Sequence, residues 1–74
     1  MLTFRAMDPE GRGARVDVNP ALVAAVVEVE RYYVSGSHVR CAEIHLSTGT
    51  SIVVIDHAGN VADKIKAEHE APRG

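Results

Sequence analysis

Residues 39 to 55, VRCAEIHLSTGTSIVVI, limit the fold more tightly than any other part of the chain. Ala42, Ile44 and Leu46 alternate with Cys41, Glu43 and His45, the period of two that gives a strand one apolar and one polar face. Thr48-Gly49 is a two-residue hairpin signal, with glycine where a positive φ is needed. The returning segment, SIVVI at 51 to 55, is apolar at consecutive positions, as in a strand covered on both faces. A sheet is therefore required, and something must lie on each side of its last strand.

The rest of the chain supplies candidates for that cover. Leu2, Phe4 and Ala6 alternate with Thr3, Arg5 and Met7, and Val16 and Val18 alternate with Arg15 and Asp17. With the loop DPEGRG at 8 to 13 between them, residues 1 to 18 form a first hairpin. Asn19-Pro20 ends it, because proline offers no N–H and biases the residue before it toward an extended conformation. The segment ALVAAVVEVERYYV is mixed. Its alanines and leucine favour helix, whereas VVEVE alternates and is β-branched. It reads as a short helical turn over 20 to 23 and a strand from 25 to 34, followed by a turn at SGSH, 35 to 38. From Ala58, the residues Val61, Ala62 and Ile65 make a narrow helical stripe that ends near Glu70.

These signals define an α+β chain: a small, strongly bent antiparallel sheet of about five strands, a meander or partial barrel, with one C-terminal helix. Residues 1 to 70 form a single domain, and 71 to 74 a flexible tail. A chain of 74 residues buries only about 60% of its unfolded surface, and the helical stripe is too narrow to cover the whole sheet. A homo-oligomer is therefore expected to supply the remaining cover.

Charge narrows the partners. The net charge is −2 and the pI near 6.0, so no global basic field draws the chain to nucleic acid or to an anionic membrane. A single cysteine, Cys41, forms no internal disulfide. MLTFRAMDPE has no signal-peptide character, and no run approaches a membrane span. The cytoplasm is the expected compartment.

Three constellations carry the candidate chemistry. Asp56-His57 precedes the helix; Asp56 is expected to cap it, accepting hydrogen bonds from first-turn N–H groups at the positive end of the helix dipole. An acid/base dyad is disfavoured, since sequence neighbours rarely face each other and no nucleophile motif stands nearby. His38, Cys41, Glu43 and His45 include zinc-ligand types, but their spacing matches no common knuckle. A solvated strand face with a half-buried cysteine is preferred, with no metal and no cofactor. Arg31, Tyr32, Tyr33, His38 and Arg40 define a candidate interaction surface near the SGSH turn, and Arg5, Arg12 and Arg15 gather on the first hairpin. Arginine beside aromatics can hold a single strand, yet Glu28, Glu30 and Glu43 share the hairpin.

No GxSxG, HExxH, CxxC or Walker pattern is present, and the glycines sit in turns between strands. The expected function is non-enzymatic: an interaction module with a protein partner. The alternative is a regulator that contacts DNA or RNA through the Arg/Tyr hairpin.

The segment from Val16 to Ile65 resembles the FlbD-like family of small flagellar proteins. The matching residues are Val18-Asn19, Leu22-Val23 with Val26, Leu46-Ser47-Thr48-Gly49, Val53-Val54, and Val61 with Ile65. A longer middle hairpin, residues 31 to 43, and an extra Pro9-Glu10-Gly11 depart from the family pattern. The resemblance implies a short, cytoplasmic bacterial or phage protein without catalytic residues, acting as an accessory or regulator.

Overall fold

A computed structural model describes residues 1 to 70; the expected tail, 71 to 74, lies outside them. Five strands and one helix follow in the order β1 (Leu2–Arg5), β2 (Arg15–Val18), β3 (Val23–Tyr32), β4 (His38–Leu46), β5 (Ser51–Val54) and α1 (Ala58–Glu70). The architecture is α+β and the sheets do not close into a barrel. The strands divide into a β1–β2 hairpin and an antiparallel β3–β4–β5 sheet.

One bridge, Ala6 to Val54, joins the two sheets. Met7 N–H donates to the Val53 carbonyl and Ile55 N–H to the Arg5 carbonyl, both at 2.8 Å. The end of β1 therefore runs beside β5 and satisfies its outer edge. At the far end of the molecule, Val34 N–H donates to the Pro9 carbonyl at 2.8 Å, so the first loop also holds the tip of the β3–β4 hairpin.

Asn19 turns the chain between the sheets. Its Oδ1 accepts the Ala21 N–H at 3.0 Å and caps a single 3₁₀ turn, Pro20–Leu22, with proline at the first helical position where a missing N–H costs nothing. The long strand that follows carries a bulge: its register against β4 shifts between Val23 and Ala25. The extra residue, Ala24, lets Val23 and Val26 both pack toward the core, a spacing of three that a regular strand forbids. The helical turn expected over 20 to 23 is met by the 3₁₀ turn that precedes this bulge.

Both hairpins of the larger sheet use the same turn. Gly36 N–H donates to the Tyr33 carbonyl at 2.9 Å and Tyr33 N–H to the Ser37 carbonyl at 2.8 Å. The same bonds link Gly49 to Leu46 and Leu46 to Thr50, at 3.0 and 2.9 Å. Thr48-Gly49 is thus the end of a three-residue loop with a glycine bulge, not a two-residue turn. Gly36 and Gly49 sit at φ +94° and +93°, where a β-carbon meets no neighbour but the backbone disfavours L residues. Gly49→Ala is expected to cost about 1–2 kcal/mol, read from urea denaturation, with Gly49→Asn recovering part of the loss.

The core lies between α1 and one face of the sheets. Phe4, Val18, Ala42, Ile44, Val54, Val61 and Ile65 are buried together, with Leu2, Val16, Val23, Val26, Leu46, Ile52 and Ala58 packed around them. Val61 and Ile65 are the buried helix residues, with Ala58 packed against the core at the helix start; Ala62 stays exposed beside β3. Lys64 lies over the Phe4 ring at 5.6 Å from its centroid and pairs with Asp56 at 3.8 Å.

Candidate interaction surface

The β3–β4 hairpin carries most of the polar residues singled out above, and the strand period distributes them over two faces. Cross-strand pairs Glu28–Ala42, Glu30–Arg40 and Tyr32–His38 alternate with Val27–Glu43, Val29–Cys41 and Arg31–Val39. Opposite residues share a face, so Tyr32, His38 and Arg40 lie on one side of the ribbon and Arg31 on the other. The Arg31-Tyr32 dipeptide is not one patch.

On the first face, Glu30 organises the tip. Tyr32 donates its hydroxyl to Glu30 Oε1 at 3.1 Å, and His38 Nδ1 lies 3.6 Å from Glu30 Oε2. The Tyr32 and His38 rings meet in a tilted arrangement, 42° between planes and 5.6 Å between centroids. The Glu30 carboxylate, accepting the hydroxyl and repelling a phenolate, raises the Tyr32 pKa above its ordinary value. Further down the same face, His57 Nε2 lies 3.5 Å from Glu28 Oε1. Each of the two glutamates therefore lies beside a histidine.

On the second face, Glu43 is the organiser. Its Oε1 meets His45 Nε2 at 2.9 Å and its Oε2 lies 3.9 Å from Arg31 Nη2. Arg31 Nη1 also donates to the Glu30 carbonyl at 3.0 Å. Tyr33 is half-buried. Cys41 is fully buried, and that burial raises its thiol pKa, partly offset by the nearby Arg31 charge. A thiol both shielded and protonated is slow to react. Cys41 is accordingly expected to resist a disulfide-exchange reagent in the folded protein and to react fully in denaturant; rapid labelling of the native chain would contradict its position.

The four residues of zinc-ligand type do not converge. His38 is engaged with Glu30 across the ribbon from Cys41, Glu43 and His45, and among the described residues no group of three His, Cys, Asp or Glu side chains is placed to hold a metal. The expected cap also moves by one residue. The helix begins at Ala58, which makes His57 the cap: its Nδ1 accepts the Gly59 N–H at 3.2 Å and its carbonyl accepts the Val61 N–H at 3.0 Å. Asp56 instead pairs with Lys64. The sequence signal was ambiguous because an Asp-His pair offers two acceptors, and a one-residue difference in helix start selects between them.

The basic residues of the first hairpin are only partly gathered. Arg5 and Arg15 are cross-strand neighbours beside an open concavity of about 540 Å³ lined by Thr3, Phe4, Ile55 and Asp56. Each guanidinium is engaged: Arg5 Nη1 donates to the Gly13 carbonyl and Arg15 Nε to Asp17 Oδ1, both at 3.1 Å. Thr3 and Arg15 together hold the Asp17 carboxyl below its ordinary pKa. Arg12 pairs with Glu10 in the loop at 3.3 Å.

The outer edge of β3, where the sequence already suggested self-association through Val27 or Val29, is open in the fold. β4 occupies its inner edge along the whole strand, and among the described residues no strand pairs with the other side. A shallow groove of about 400 Å³ runs between Val23–Val26 and the helix residues Ala62, Ile65, Lys66 and His69. His69 Nε2 meets the Pro20 carbonyl at 2.8 Å and closes the end of that groove. Val27, at mid-edge, is 45% exposed, a large value for a β-branched residue in a central position of a ten-residue strand. Among the described residues, no helix is long and apolar enough to cross a membrane. Compared with protein-family models, curated proteins and solved structures, the chain matches none.

Proposed function

We propose that this chain is a non-enzymatic accessory or regulatory protein, an interaction module that self-associates and presents the β3–β4 hairpin to a protein partner. The observation that carries the reading is the open edge of β3, ten residues long, with exposed Val27 at its middle. A strand edge of this length is a template for pairing with another chain unless it is blunted. The acidic residues of this strand, Glu28 and Glu30, lie on the face that carries α1, beside His57, Tyr32 and His38, and leave Ala25, Val27 and Val29 as an uncharged stretch on the other face.

Nucleic-acid binding draws less support. Arg31 and Tyr32 face opposite ways, and each is already held by a glutamate. Affinity capture from lysate of the native host, with and without nuclease, separates the two. Stoichiometric protein retained after nuclease supports the proposal. Nucleic acid retained through moderate salt, and lost in Arg31→Ala/Tyr32→Ala, contradicts it.

A further inference from the structure

We infer that two copies of this chain pair through the outer edges of β3 as antiparallel strands, with the two-fold axis passing at Val27, so that two three-stranded sheets become one of six. The inference rests on the self-association proposed above and adds its geometry.

Backbone phase comes first. Tyr33 N–H donates to the Ser37 carbonyl, so Tyr33 and Ser37 form a hydrogen-bonded pair. The unbroken register from Tyr32–His38 back to Ala25–His45 then makes Arg31, Val29 and Val27 the residues that bond to β4. Val26, Glu28, Glu30 and Tyr32 aim their N–H and C=O groups outward. These are the groups a second strand would take.

Symmetry and charge select the register. A two-fold axis normal to the sheet keeps each face with itself, and opposite residues must share a face, so the axis passes through a residue and not between two. An axis at Glu28 sets Glu28 against Glu28, one at Val29 sets Glu28 against Glu30, one at Glu30 sets Glu30 against itself, and one at Arg31 sets Arg31 against itself. Like charges directly opposite destabilise a pair. An axis at Val26 would draw the bulged Ala24 into the ladder. An axis at Val27 sets no like charges opposite each other and keeps Ala24 outside its five central pairs, from Ala25–Val29 to Val29–Ala25, meeting the bulge only beyond them at Ala24–Glu30.

In that register Val26 of each copy exchanges hydrogen bonds with Glu28 of the other. Val27 meets Val27 as the close, non-hydrogen-bonded pair, and Ala25 meets Val29, which gives an apolar strip on the face opposite α1. Glu28 clears the seam because its carboxylate is turned toward His57.

Cysteine cross-linking in a Cys41→Ala background tests this, alongside the native mass. In the proposed register the two Val27 α-carbons lie about 4.5 Å apart, within disulfide range. The two Val29 α-carbons are displaced by four residues, about 13 Å along the strands, and are out of range. Val27→Cys is expected to form a covalent dimer under mild oxidation and Val29→Cys to remain uncross-linked, both with the parent's native mass under reducing conditions. Cross-linking through Val29→Cys, or through neither in a protein that is still dimeric, overturns the register and leaves self-association standing. A monomer at every concentration overturns both, including the case in which the edge captures an unrelated peptide strand instead of a second copy.

Discussion

Ile44→Ala is expected to remove about 2–5 kcal/mol of folding stability, the range for truncating a fully buried isoleucine. Ile44 has no exposed surface and sits in the central strand, with Val26 on one side, Ile52 on the other, and the core residues of α1 above. Its neighbours belong to a hydrogen-bonded ladder and cannot collapse into the space it leaves. A domain of this size has about 4–11 kcal/mol in total, so the variant would be substantially weakened and, toward the upper end of the cost, largely unfolded at room temperature. Urea denaturation followed by far-UV circular dichroism reads the loss. Val27→Ala, at the exposed edge, serves as the comparison and should shift monomer stability by less than about 0.5 kcal/mol. A loss below about 1 kcal/mol at Ile44 would mean that the core is not centred where the structure puts it.

Phe4→Ala is expected to cost about 3–5 kcal/mol and, more tellingly, to loosen one sheet before the other. Phe4 is the one phenylalanine of the chain and is 2% exposed. It carries much of the apolar attachment of β1 and β2 to the core, with Val18 beside it in the same cluster. Without the ring, the first hairpin is held to β5 chiefly by the Ala6–Val54 bridge and its two flanking hydrogen bonds. Two-stranded hairpins are marginal alone. Hydrogen exchange should therefore show the amides of Met7 and Ile55 losing protection while those paired between β3 and β4 retain it. Equal protection across both sheets in a variant that remains folded would contradict this division of the core.

Much of this architecture was legible in the order of residues. Period-two alternation placed β1, β2 and β4, and the Val61/Ile65 spacing placed the helix that covers them. The apolar run at 51 to 55 was expected to be a strand covered on both faces; β5 does form over Ser51–Val54 with Ile52 and Val54 in the core, but Val53 on the other face is only half-buried and Ile55, past the strand, is exposed. What was hidden is local in cause. The bulge at Ala24 was not foreseen: the helical turn at 20 to 23 and the strand after it were, but the one-residue shift of register between Val23 and Ala25 has no signature in residue type. The glycine-bulge turn and a two-residue turn both need a positive φ at Gly49, so that glycine alone cannot tell them apart.

The candidate surface was less legible for a different reason. Arg31, Tyr32, Tyr33, His38 and Arg40 are close in sequence, but proximity along a strand separates side chains onto opposite faces. Glu30, beside Tyr32 and His38, and Glu43, beside Arg31, bear on what those three can offer a partner, and the pairings depend on hairpin register. The linking of Ala6 to Val54, which decides which edges remain open, spans most of the chain and leaves no local signal. The open edge of β3 is the consequence.

Sedimentation equilibrium of the intact chain and of Val27→Asp, over a wide concentration range, is the most direct test of that consequence. The parent should approach twice its 7.9 kDa chain mass as concentration rises, and the variant, carrying a charge into the seam, should stay at the monomer mass with its circular dichroism spectrum intact. A parent that remains monomeric throughout, or a folded Val27→Asp variant that dimerises as the parent does, would contradict self-association through this edge.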